Sequence, residues 1–274
     1  MSDSPLTDRW FVALDIDGTI LREDGTLSPI VAEQIARVAA LGHEVTIATG
    51  RSVSMTQSVL DQLEISPEYV VCANGAITLR RDPDAPGSYV RDIVETFDPA
   101  EVLTTIRTHL ESARYAVENE AGEFLYAGGA LPEWESATNG RAVEFEELLA
   151  ARATRVVVIS PEHAVEDFLA IVERMGLHRV SYNVGWTAWL DIAPDGVNKA
   201  VALEKVRARL EIPRDRVMAV GDGRNDIEML EWAAQSGRGV AMGQAPREVR
   251  AVASEVTGSD LEDGVAKLLV EFGV

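Results

Sequence analysis

At both ends of the chain, short apolar runs alternate with stretches of helical period, and this rhythm narrows the fold more than any other feature. WFVALD (10–15) is followed by SPIVAEQIARVAALG (28–42), in which Ser28 suits an N-cap, Pro29 a first helical turn and Gly42 a stop. Ile30, Val31, Ile35 and Val38 make its apolar stripe. EVTIATG (44–50), a helix over about 52–63 and YVVCANG (69–75) repeat the pattern. It returns after WLDIAPDGVNK (189–199) as a helix to about Leu210, the strand RVMAVGD (216–222), a helix over NDIEMLEWAAQ (225–235), a short strand GVAM (239–242) and a last helical segment. Apolar strands separated by amphipathic helices predict βαβ units, a parallel sheet and right-handed crossovers.

In the middle the rhythm changes. ITLRRDPDAPGSYVRDIVE (77–95) reads as a hairpin around a Pro/Gly turn, and 97–189 mixes helices with strands such as GEFLYA, TRVVVIS and RVSYNV. The expected fold class is therefore α/β: a Rossmann-like parallel-sheet core formed by residues 1–96 and 190–274, with an inserted α+β domain over 97–189. A length of 274 residues suits two such domains. No internal repeat or low-complexity segment interrupts them.

Composition removes several classes of function. A formal charge of −20 argues against a protein that holds nucleic acid or an anionic membrane by a basic surface, and any anion site must be made locally positive. No apolar stretch approaches the roughly 20 residues that span a bilayer. The opening MSDSPLTDRW lacks a basic start with an apolar core behind it. With a single cysteine, Cys72, an internal disulfide framework is excluded, and the expectation is a cytoplasmic protein with Cys72 as a core thiol. Oligomeric state is left open.

Polar signals stand where the core strands end. Asp15 and Asp17 close the first strand, Thr49-Gly50-Arg51 the second, and Asp222, Asn225 and Asp226 follow RVMAVGD, while Lys199 starts the helix after the insert. Ligands of open parallel sheets bind at this edge. Two carboxylates two positions apart repel each other, and a cation between them removes the penalty. Mg²⁺ takes hard oxygen ligands and keeps several waters, so two carboxylates and a carbonyl are enough protein ligands. A carboxylate can also attack phosphorus, a lysine and a hydroxyl can stabilise the charge, and a second carboxyl group can move protons.

DIDGT (15–19), ATGR (48–51), GVNKA (196–200) and GDGRNDIEML (221–230) together resemble the four ordered motifs of the haloacid dehalogenase-like superfamily. The insert between the second and third motifs is similar to the cap of its Cof-type, class IIB phosphatases. The resemblance implies a Mg²⁺-dependent phosphatase of small phosphorylated metabolites that works through an aspartyl-phosphate. Asp15 would be nucleophile and metal ligand, and Asp17 the general acid/base that also gives the metal its backbone carbonyl. Asp222 would be the second carboxylate ligand, with Asp226 supporting the metal shell. Thr49, Gly50 and Lys199 would hold the phosphoryl group, and Asn225 would contact it. Gly223 and Arg224 occupy a segment where many relatives carry Asn or Ser and then a small or variable residue, and Arg224 is left outside the catalytic set.

Each signal has a blander reading. DxDG alone is a turn, TGR alone a strand-to-helix turn, and Lys199 alone a solvated lysine that opposes the helix dipole unless an anion is near. His43, His109, His163 and His178 have no metal-ligand spacing and are expected at the surface or in loops. Trp186 and Trp189 suit either a substrate pocket or packing. A receiver-like signalling module shares the phospho-accepting Asp, but Asp17 promotes turnover and the insert has the size of a lid. A phosphosugar mutase of the same family is the other alternative.

Overall fold

The computed structural model describes residues 9–129, 140–175, 177, 180–184 and 188–272, the last strand before 188 by its backbone only. Trp186 and His178 lie outside the described residues.

The chain forms two compact units. The first takes in the described residues of 1–51, 55–92 and 198–274, and the second those of 52–54 and 93–197. In chain order the first part contributes β1 (Phe11–Leu14), α1 (Pro29–Ala40), β2 (Glu44–Ile47), α2 (Val53–Leu63), β3 (Tyr69–Cys72), β4 (Ile77–Arg81) and β5 (Tyr89–Val94). There follow α3 (Ala100–His109), β6 (Arg114–Asn119), β7 (Phe124–Ala127), β8 (Gly140–Ala142), α4 (Phe145–Leu149), β9 (Ala153–Ile159), α5 (Val165–Met175), β10 (Val180–Val184) and β11 (Trp189–Pro194). The chain closes with α6 (Lys199–Arg209), β12 (Val217–Gly221), α7 (Ile227–Ala234), β13 (Arg238–Ala241), α8 (Arg247–Val252), β14 (Glu255–Val256) and α9 (Gly264–Leu269).

The first unit is built on a parallel sheet in the order β14-β13-β12-β1-β2. β1 lies between β12 and β2, and all four of its residues are buried, as a strand covered on both faces requires. Val71 of β3 bridges to Ala48 in parallel, and β3 then begins a second, three-stranded sheet with β4 and β5. The core under β12 gathers Phe11, Leu203, Met229, Leu230 and Trp232.

Helix α1 starts at Ser28 with Pro29 in its first turn, as its sequence predicts. Its buried stripe differs from the expected one. Val31, Gln34, Ile35 and Val38 are buried, whereas Ile30 is 42% exposed. Positions 31, 34, 35 and 38 keep the i, i+3, i+4, i+7 spacing of one helical face, and residue 30 falls off that arc. Gln34 meets the cost of burial by accepting a hydrogen bond from Arg37 Nε at 2.8 Å.

The second unit is a six-stranded sheet, β10-β11-β9-β6-β7-β8, antiparallel except for the β7–β8 pair. Val102, Leu103 and Ile106 of α3, Leu148 of α4 and Phe168 and Val172 of α5 pack on one face of it. The other face carries Ala116, Phe124, Val157 and Ile159, with Trp189 packed against them. Residues 190–194, assigned to the core by the expected limit at 189, belong to β11 instead. Their ladders with β9 and β10 tie them to the second unit, which runs from Ile93 to Val197.

Candidate active site

The site of the first unit is assembled where β1, β2, β3 and β12 end. Asp15 follows β1 directly, and its N–H continues the ladder to Val220 O at 3.0 Å, so its carboxylate is aimed by the sheet. Asp222 follows β12. Lys199 opens α6 behind the N-cap Asn198, which accepts from Val201 N at 2.9 Å.

Lys199 is completely buried, and its ammonium donates to Asp15 Oδ1 at 2.7 Å and Asp226 Oδ1 at 2.6 Å. The anions that justify a lysine at a helix N-terminus are thus its own neighbours. Asp226 Oδ2 accepts from the backbone N–H groups of Asp222 (3.0 Å) and Gly223 (2.9 Å), which fixes the turn carrying Asp222. Asp222 Oδ1 in turn accepts from Thr19 Oγ1 at 3.4 Å. Gly18 has φ +70°, and a Cβ there would lie 2.3 Å from Asp222 Oδ2, so only glycine lets the turn after β1 meet Asp222.

Oxygens of Asp15, Asp222 and Asp226 all lie within 4.8 Å of one another. Burial, reinforced by Asp226, pushes Asp222 up to about 7. Burial and Asp226 likewise hold Asp15 well above the usual carboxylate range, against the pull of Lys199. Burial works to lower the Lys199 ammonium, but Asp15 and Asp226 more than reverse it and keep it charged. One lysine does not neutralise three carboxylates. The donor set therefore fits a hard divalent cation both in its oxygen chemistry and in its surplus of negative charge.

Asp17 is placed differently from its neighbour. Its carboxylate stands outside that acidic group, 62% exposed, and is gripped by Arg51 through Nε–Oδ2 at 3.0 Å and Nη2–Oδ1 at 2.5 Å. Thr49 is buried, and its hydroxyl accepts from Arg51 N at 3.1 Å, leaving its proton to donate elsewhere. A Cβ on Gly50 would come 3.1 Å from Asn74 Oδ1 and 3.5 Å from Asn225 Nδ2. Gly50 is thereby kept open beside two amides, joined by Asn225 Nδ2 donating to Asn74 Oδ1 at 3.0 Å.

Asn74 was not singled out for the site from sequence, although Asn-Gly after the strand YVVC marks a turn. It is buried in the left-handed region with φ +51°, and its N–H donates to Thr49 O at 3.0 Å. Gln244 was also missed. It donates to Gly18 O at 2.6 Å and no local pattern announces it. Arg224 pairs with Glu248 at 2.9 Å. His43 accepts from Trp10 N at 3.2 Å, His163 meets Ser160 Oγ at 2.6 Å, and His109 is exposed at the end of α3. None of these three joins an acidic group.

Comparison with known proteins shows the family. The sequence model of the haloacid dehalogenase-like hydrolases matches residues 12–269. The 5-amino-6-(5-phospho-D-ribitylamino)uracil phosphatase YitU of Bacillus subtilis is 32% identical over 97% of this chain and 98% of its own. The pyridoxal phosphate phosphatase YbhA of Escherichia coli is 28% identical over 94% of this chain and 96% of its own. Among solved structures, the subclass IIB sugar phosphatase BT4131 superposes with a TM-score of 0.77, covering 96% of this chain and 99% of that one at 22% identity, a likeness of fold. The chain belongs to the haloacid dehalogenase-like hydrolases. It is a phosphatase of that family. Among the described residues no helix is long and apolar enough to cross a membrane.

Proposed function

We propose that the protein hydrolyses phosphomonoesters of small phosphorylated metabolites, sugar phosphates and their like, in two steps through an aspartyl-phosphate on Asp15. The buried Lys199 bridging Asp15 and Asp226 is the observation that carries this best, because an ammonium fixed on a carboxylate at a parallel-sheet edge suits a dianionic phosphoryl group.

Asp15, Asp222 and the backbone carbonyl of Asp17 would hold Mg²⁺, with Asp226 supporting Asp222 from behind. Bound there, the cation offsets negative charge on the phosphoryl oxygens. The Asp15 carboxylate forms a bond to phosphorus as the bond to the leaving oxygen breaks, and Asp17 delivers its carboxyl proton to that oxygen. A water then attacks phosphorus, Asp17 takes the water's proton, and the Asp15–phosphorus bond breaks to release inorganic phosphate. Thr49, Gly50, Lys199 and Asn225 orient the group in flight. The names of two relatives, a phosphoribityl-aminouracil phosphatase and a pyridoxal phosphate phosphatase, support a small phosphoester as substrate. An intracellular place for the protein accords with such a substrate.

The test is phosphate release from a panel of small phosphoesters, with Mg²⁺ and with the metal chelated. Turnover that requires both the metal and Asp15 is expected. A lasting acyl phosphate on Asp15 without turnover would favour a phospho-accepting signalling module instead.

A further inference from the structure

We infer that Arg51 positions the Asp17 carboxyl group for proton transfer, an inference that rests on the acid/base role proposed for Asp17. Asp15, Asp222 and Asp226 are buried and aimed by strand ends and by one another. Asp17 has no such walls. With 62% of its side chain exposed, it owes its orientation to the two parallel bonds from Arg51, at 3.0 and 2.5 Å.

Both ends of this contact are anchored. Arg51 N donates to Thr49 Oγ1 at 3.1 Å, and Arg51 O accepts from Ala73 N at 2.9 Å, so the arginine backbone is tied between the ends of β2 and β3. On the other side, Gln244 donates at 2.6 Å to the carbonyl of Gly18, the residue after Asp17, and so holds the turn that carries it. What remains free is the Asp17 side chain, and a planar guanidinium fork fixes a carboxylate plane in a way a point charge does not.

Most surface ion pairs contribute little to stability, and the contribution of this one is to geometry. A proton donor displaced by about 1 Å loses much of its effect on rate. The loss is selective. Protonation of the leaving oxygen matters when a basic alkoxide must depart and matters little when a stabilised phenolate leaves. Arg51 is thus a positioning residue, acting on the bond that breaks through Asp17.

Single-turnover release of alcohol or phenol tests this, with one alkyl and one nitrophenyl phosphate chosen from esters that the native protein turns over. Arg51→Ala, Arg51→Lys and Asp17→Asn are compared, each checked for folding by its melting temperature. Arg51→Ala is expected to slow the alkyl ester by about ten- to a hundredfold and the nitrophenyl ester by less than about threefold, with KM little changed. Arg51→Lys keeps the charge without the fork and should repeat that selectivity. Equal losses on both esters, with a raised KM or a fallen melting temperature, would make Arg51 a phosphate clamp or a structural residue and overturn the proposal. Should Asp17→Asn lack selectivity between the esters, the acid/base role itself fails. Selectivity in Asp17→Asn but not in Arg51→Ala removes the positioning role alone.

Discussion

Lys199 shows how one residue can be caught between structure and chemistry. Its ammonium is fully buried against two carboxylates, so its removal strands acidic groups in a poorly solvated place. Lys199→Met is therefore expected to destabilise the metal-free protein, and more at pH 8 than at pH 5, because only ionised carboxylates miss the cation. Melting curves at the two pH values check this. Asp15→Asn should fold normally, since asparagine keeps the shape and can still accept from Lys199, yet lose at least about a thousandfold in phosphate release. Asp15 and Asp222 were visible in the sequence because each breaks an apolar run at the end of a strand. Pairings within the site were not. Arg51 reaches Asp17 across 34 positions and Asn225 reaches Asn74 across 151, and no periodicity joins residues so far apart.

At the scale of elements, turns decide whether the strand ends meet. Gly75 has φ +100°, and a Cβ there would sit 2.3 Å from Asn198 O, the carbonyl just before Lys199. Gly75→Ala should cost about 2–4 kcal/mol, combining left-handed strain with a backbone clash, and denaturant titration measures it. Gly18→Ala, which drives a methyl into Asp222, should abolish both activity and any stabilisation by Mg²⁺, the latter read from melting curves. The helices and strands around these turns were largely legible, since α1 carries its spacing, its Pro29 start and its Gly42 stop in the sequence and the core strands are short apolar runs. Ile30 and the limit at 189 were not. Which residues of an amphipathic helix are buried depends on the facing element, and an apolar strand such as Trp189–Pro194 carries no mark of the sheet it joins.

For the whole molecule, stability, pH and metal are linked through the same carboxyls. Asp222 is pushed up to about 7 from an ordinary 3.8, and Asp15 is raised too, so the folded apoprotein holds protons that the unfolded chain has released. Folding is then favoured below about pH 4 by these groups, and that contribution is lost as pH climbs toward 7. Mg²⁺ should reverse the loss, raising the melting temperature more at pH 8 than at pH 5; equal shifts at both values would contradict metal binding by these residues.

Sheet order has a further consequence during synthesis. β1 lies between β2, made soon after it, and β12, which follows only after the entire second unit. At a ribosomal rate of about 5–20 residues per second, the wait is on the order of ten seconds or more. Throughout it, a wholly apolar strand has one bare edge, and Asp15 lacks a lysine 184 residues downstream. Until its own C-terminal quarter or so arrives to close the sheet, that edge is open to pairing with neighbouring nascent chains on the same messenger.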